Sequence, residues 1–113
     1  MNISTRTLSD VQILDLEGKI TSGESAVALR QAVSTAFEAG HKQILLNMKD
    51  VNYMDSSGLG ELVSAYAKVK HQGGQLKLLN LTNKLHEVLA ITKLLTVFEC
   101  FDNESQAVNS YFR

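Results

Sequence analysis

The apolar residues of this chain change period along its length, and that change limits the possible folds more than any other feature. Ile44-Leu45-Leu46-Asn47-Met48 is a short, nearly continuous apolar run, as expected of a strand covered on both faces. Leu59, Leu62, Val63, Tyr66 and Val69 then recur at helical spacing, Gly73-Gly74 interrupts them, and Leu76-Lys77-Leu78-Leu79 forms the next short run. Upstream, Val11, Ile13, Leu14 and Leu16 mark a strand ending at Glu17-Gly18. A weakly alternating strand around Ile3 to Leu8 can join it as a hairpin across Ser9-Asp10. Ala26, Leu29, Val33, Ala36 and Phe37 predict a helix from about Ser25 to Ala39, with Gly40 as its left-handed C′ residue. Leu85, Val88 and Leu89 predict a short helix, Val97 to Phe101 an edge strand, and Ala107, Val108, Tyr111 and Phe112 a closing helix. Strands alternating with helices predict an α/β fold, with a mixed β-sheet of about four to five strands and helices packed mainly on one face.

A chain of 113 residues is one domain, spanning 1–113, with room for a single core. Its formal net charge of -1 and pI near 6.3 provide no field to attract nucleic acid or an anionic membrane. No segment approaches the roughly 20 apolar residues that span a bilayer, so direct membrane insertion is not expected. The first residues carry no basic start followed by a long apolar run, so no signal peptide is expected. The single cysteine, Cys100, has no internal partner, and a reducing cytoplasmic setting is the simplest one.

The informative segment is Asp50-Val51-Asn52-Tyr53-Met54-Asp55-Ser56-Ser57-Gly58-Leu59-Gly60, between a buried strand and an amphipathic helix. Asp, Ser and Gly all suit a helix N-terminus. The expected geometry has Asp55 as the N-cap and Ser56, Ser57 and Gly58 as the first turn. Leu59 opens the buried face of a helix running to about Gln72. Small side chains there leave Ser57 able to enter a partner's active site. The plainer reading is a good helix cap and nothing more.

Catalysis by this serine is not expected. Asp55 occupies the first glycine position of a Gly-x-Ser-x-Gly elbow, and a nucleophilic serine needs a base within reach. His41 and His71 fall near helix ends, on the side away from the strand C-termini, and His86 reads as a surface residue of a short helix. Metal-ligand spacing and the phosphate-binding Gly-x-x-x-x-Gly-Lys-[Ser/Thr] loop are both missing from the sequence, so neither a metal nor a cofactor is expected.

The run from Val51 to Gly60, preceded by the apolar strand Ile44 to Met48, resembles the signature of the STAS-domain anti-sigma factor antagonists. The similarity continues through Gly73-Gly74-Gln75-Leu76-Lys77-Leu78-Leu79-Asn80 to Leu94 and so covers most of the chain. The resemblance implies that Ser57, the second serine of the motif, is phosphorylated. It implies two partners: an anti-sigma factor that is also an ATP-dependent serine kinase, and a serine phosphatase that restores the hydroxyl. The unphosphorylated protein would bind the anti-sigma factor and free a sigma factor, and the phosphorylated protein would release it.

The sequence departs from the family pattern at one place. Family members often have Gly-x-hydrophobic-Asp after the second strand, whereas this chain has Gly18-Lys19-Ile20-Thr21, followed by Ser22-Gly23-Glu24. Thr21, Ser22 and Gly23 are expected beside the Ser57 turn as part of the partner surface, with Asp55, Ser56, Gly58 and Leu59. A turn with a hydroxyl capping the next helix is an equally simple account of the loop. Thr21 at the aspartate position bears on which kinase would act and on whether Ser57 is phosphorylated. Two other functions compete with the phosphorylation switch. One is a STAS protein-binding subunit of a transport or scaffold complex, without phosphorylation. The other is a small hydrolytic or nucleotide-binding protein using Thr21, Ser22, Asp55 and Ser57, which the missing base and phosphate loop disfavour.

Overall fold

The computed structural model describes residues 1–112. Strand β1 (Asn2–Leu8) turns back into β2 (Val11–Ile20), followed by α1 (Glu24–Glu38), β3 (Gln43–Met54), α2 (Ser56–His71) and β4 (Gln75–Leu79). Helix α3 (Asn83–Ile91), strand β5 (Cys100–Phe101) and helix α4 (Glu104–Asn109) complete the chain, with 3-10 turns at 94–96 and 110–112. The sheet order is β1-β2-β3-β4-β5; β1 is antiparallel to β2 and the other neighbours are parallel. The expected mixed sheet is present, with five strands.

The β1–β2 hairpin turns on Ser9 (φ 51°) and Asp10 (φ 66°), both left-handed. A two-residue turn of that hand matches the right-handed twist of the strands it joins. Leu14, Leu16, Ile44, Leu46, Leu76 and Leu78 form one apolar face of the sheet, covered by α1 and α2 through Leu29, Val33, Leu62 and Val69 and by α3 through Leu85 and Leu89. On the other face Val11, Ile13, Leu45 and Leu79 meet Ala107, Val108 and Tyr111. Apolar residues on both faces are the reason the central strands read as continuous runs.

The second face also buries Lys77. Its Nζ donates to Ser110 Oγ (2.9 Å), lies 3.5 Å from Glu99 Oε2, and sits over the Tyr111 ring at 4.5 Å. The Tyr111 hydroxyl donates to the Ile44 carbonyl, and burial pushes its pKa well above the ordinary tyrosine value. These contacts dock the C-terminal helix by its polar atoms as well as its apolar ones.

Two expectations on boundaries need correction. Strands β2 and β3 run on past their apolar runs, to Ile20 and Met54, and pair with each other where β4 no longer reaches. In that extension only Ile20, Val51 and Met54 are buried, too sparse to read as a strand. The edge strand expected over Val97 to Phe101 contracts to Cys100–Phe101, because Phe98 turns into the core against Tyr66 (ring centroids 5.0 Å apart).

Candidate functional site

Strand β3 delivers the chain to the site. Met54 is its last residue, and Asp55 follows in an extended conformation (φ −97°, ψ −176°) as the N-cap of α2. Asp55 Oδ1 accepts a hydrogen bond from Gly58 N at 2.8 Å, and the Asp55 carbonyl accepts the first helical bond from Leu59 N at 2.9 Å. The carboxylate thereby satisfies one of the donors that a helix start leaves open. At the far end of α2, Lys68 and Lys70 complement the negative end of the helix dipole. Ser56 and Ser57 occupy the first turn and are exposed.

The turn is fixed to strand β2. Ile20 lies beside Met54 in the parallel register, and its carbonyl accepts from Asp55 N at 3.3 Å. A Cβ placed on Gly58 would come within 1.9 Å of that same carbonyl oxygen. Gly58 is therefore required to let the helix start lie directly on the end of β2. It is buried, and its part in the site is close packing rather than a surface contact.

The Thr21-Ser22-Gly23 loop leaves β2 right after Ile20, next to the Ser57 turn. The hydroxyl cap for α1 is not formed: its N-cap is Gly23 (φ 85°), with no side-chain hydrogen bond. The hydroxyl of Ser25 instead bonds the backbone of Thr21, accepting from its N–H (2.8 Å) and donating to its carbonyl (2.9 Å). Ser25 is buried inside the first turn of α1, so its hydroxyl ties down the loop from within.

Of the candidate residues, Ser22, Gly23, Ser56 and Ser57 are exposed, Thr21, Asp55 and Leu59 are half-buried, and Gly58 is buried. Leu59 packs against the main core, so it anchors the turn while showing only part of its side chain. Sequence reasoning missed Ile20 and Ser25, which hold the two loops in place. Ile20 acts through its backbone oxygen, and Ser25 is one ordinary serine in a helical pattern, so neither carries a signal of its own. Tyr53, two residues before the cap, is also exposed, with Lys84 Nζ 5.3 Å from its ring centre. His41 precedes β3 and His71 ends α2 before β4, both at the opposite end of these strands from Ser57, and His86 is exposed on α3.

The family model for the STAS domain matches residues 2–107. The anti-sigma-B factor antagonist of Bacillus subtilis is 37% identical over 91 residues, covering 80% of this chain and 81% of that protein. The anti-sigma F factor antagonist of Paenibacillus polymyxa is 26% identical over 98 residues, covering 87% and 84%. Among solved structures, a Thermotoga maritima protein proposed to be an anti-sigma factor antagonist superposes with a TM-score of 0.89 at 26% identity, over 98% of this chain and 95% of that one. The Bacillus cell fate determinant SpoIIAA, solved in its phosphorylated form, shares the fold with a TM-score of 0.74 at 21% identity, over 96% and 98%. The chain belongs to the STAS domain family, and the two sequence relatives named above are anti-sigma factor antagonists.

Proposed function

We propose that this protein is an anti-sigma factor antagonist whose binding is switched by phosphorylation of Ser57. The unphosphorylated form binds an anti-sigma factor with serine kinase activity and so frees a sigma factor. Transfer of a phosphoryl group from ATP to Ser57 Oγ ends that binding, and a serine phosphatase restores it. The protein performs no turnover of its own and works in the cytoplasm with its partners. Ser22, Gly23, Ser56 and Ser57, flanked by Thr21, Asp55 and Leu59, form the partner surface, and Gly58 sets its shape from below.

The observation that carries this reading is the exposed Ser57 side chain in the first turn of a helix whose start is capped by Asp55 and packed on Ile20. Phosphoserine adds about −1.5 to −2 charges at pH 7. At a helix N-terminus the dipole favours that charge by roughly 0.3–1 kcal/mol, which the Asp55 carboxylate offsets. The fold therefore tolerates the phosphate. A partner packed over Ser57 would have to desolvate it without a matched cation, which is costly.

The test is mass spectrometry of Ser57 in protein taken from its host, together with binding of both forms to the anti-sigma factor encoded by the same host. Phosphate on Ser57 that abolishes binding supports the switch. Ser57 free of phosphate under every growth condition, with binding to a transport or scaffold partner instead, would establish the unphosphorylated binding subunit. Thr21 in place of the family aspartate, with its backbone already satisfied by Ser25, is the observation that keeps this second reading in view.

A further inference from the structure

Strand β1 is an open edge, and the phase of its hydrogen bonds is fixed by the hairpin. Leu8 and Val11 flank the two-residue turn and pair directly, and the register continues without a bulge to Asn2 opposite Glu17. In such a hairpin the flanking pair is hydrogen-bonded, and bonded and non-bonded pairs then alternate. Leu8, Arg6, Ser4 and Asn2 therefore spend their backbone groups on β2. The N–H and C=O groups of Ile3, Thr5 and Thr7 point outward, and among the described residues no backbone hydrogen bond outside the strand ladders reaches them.

The edge also lacks the usual protection. It has no proline, no bulge and a single charge, Arg6. That charge is already matched, since Arg6 bonds Asp15 (2.7 and 3.2 Å) and Glu104 (3.0 Å).

We propose that β1 pairs antiparallel with β1 of a second copy of this chain, about a two-fold axis at Thr5, giving one continuous sheet. Three observations select a second copy as the occupant. The outward groups are symmetric about Thr5, so Thr5 meets Thr5 and Ile3 meets Thr7 as hydrogen-bonded pairs. Arg6 falls directly opposite Ser4, and the two Arg6 side chains, diagonal neighbours on one face, are each already neutralised by Asp15 and Glu104. A groove of about 440 Å³ runs beside β1, lined on the α1 side by Ala28, Gln31, Ala32, Thr35 and Ala39.

Helix α1 contacts both β1 and β2. With strands about 4.8 Å apart, the two copies of α1 would lie two strand spacings, about 10 Å, from each other. That is the distance at which helices pack, and small side chains on the facing surfaces are what it requires. Sheet edge and helix seam then form one self-complementary surface, the form that a two-fold contact takes.

Sedimentation equilibrium of the full chain in reducing buffer, from micromolar to millimolar, tests this; the reductant removes disulfide pairing through the exposed Cys100. Wild type is expected to dimerise with rising concentration. Thr5→Pro deletes an outward N–H without touching the β2 ladder, and Thr35→Arg places two like charges across the seam. Each should weaken the dimer at least tenfold while circular dichroism stays unchanged. Phe112→Ser, at an exposed apolar residue outside both β1 and α1, should leave the dimer intact. A wild type monomeric up to millimolar concentration overturns the proposal. So does a dimer that survives Thr35→Arg, or one lost only with Phe112→Ser.

Discussion

A methyl group on Gly58 would stand 1.9 Å from the carbonyl oxygen of Ile20, a distance no real Cβ contact allows. The obstacle is backbone at the end of a buried strand, so it cannot turn aside as a flexible side chain would. Gly58→Ala should destabilise the fold by about 1–3 kcal/mol, the usual range for overpacking. Gly60 lies two residues on in the same helix with open space around its Cα. Gly60→Ala should stabilise by about 0.5–1 kcal/mol, because alanine restricts the unfolded chain and suits a helix interior. Urea denaturation of both variants beside wild type measures the contrast. Equal effects from the two substitutions would mean that the Gly58–Ile20 contact does not hold the turn.

That contact also marks the limit of what could be read from the sequence. The strands, the helices between them and the cap at Asp55 were legible because they rest on local periodicity and on a residue whose side chain bonds its own helix. The extension of β2 and β3 to Ile20 and Met54 was not, because with fewer residues buried along it the apolar signal is diluted to isolated residues. Gly58 could be read as small and flexible, but not as a packing glycine, since its neighbour is a carbonyl from a different strand. Ser25 was hidden for a similar reason: its role is a pair of bonds to the Thr21 backbone, and one serine in a helical stripe does not disclose them.

The cap itself can be weighed separately. Asp55→Ala removes the acceptor for Gly58 N and should cost about 0.5–2 kcal/mol, whereas Asp55→Asn retains an oxygen acceptor and should cost less. Thermal unfolding of the two variants checks the order. Equal losses for asparagine and alanine would mean that the carboxylate charge matters more than the cap bond.

Acid should loosen the attachment of α4. The Arg6 guanidinium, by hydrogen bonding, holds the carboxyl groups of Asp15 and Glu104 below the usual carboxylate range. Groups with depressed folded-state values add stability above their unfolded values, near pH 4, and lose it as pH falls through the folded ones. All three side chains are about a third or more exposed, so solvent screening keeps the whole cluster to about 1 kcal/mol. Arg6→Gln should therefore be less stable than wild type by about that amount at pH 7, and the gap should close below pH 4. Denaturation midpoints for both proteins across pH 2–7 (a range set by these carboxyls) provide the comparison. A gap independent of pH would assign the effect of Arg6 to packing rather than to its charge.

The switch itself is the sharpest case. Ser57→Asp places one carboxylate in the first turn of α2, where the helix dipole favours it and the exposed position leaves it hydrated. Its thermal stability should stay within about 0.5 kcal/mol of wild type, as for other surface substitutions. Binding to the anti-sigma factor should fall by tenfold or more, because the same charge must lose its water when a partner covers the turn. Ser57→Ala should bind as wild type does and resist phosphorylation. Aspartate carries less charge and fewer acceptor oxygens than phosphoserine, so authentic phosphorylation should weaken binding further than the mimic does. Calorimetric titration of wild type, both variants and the phosphorylated protein, run beside thermal melts, separates a charge effect from a folding effect. If the phosphorylated protein binds with unchanged affinity, the switch is not at Ser57; if Ser57→Asp fails to bind only because it has unfolded, the charge mechanism is wrong even with the site intact.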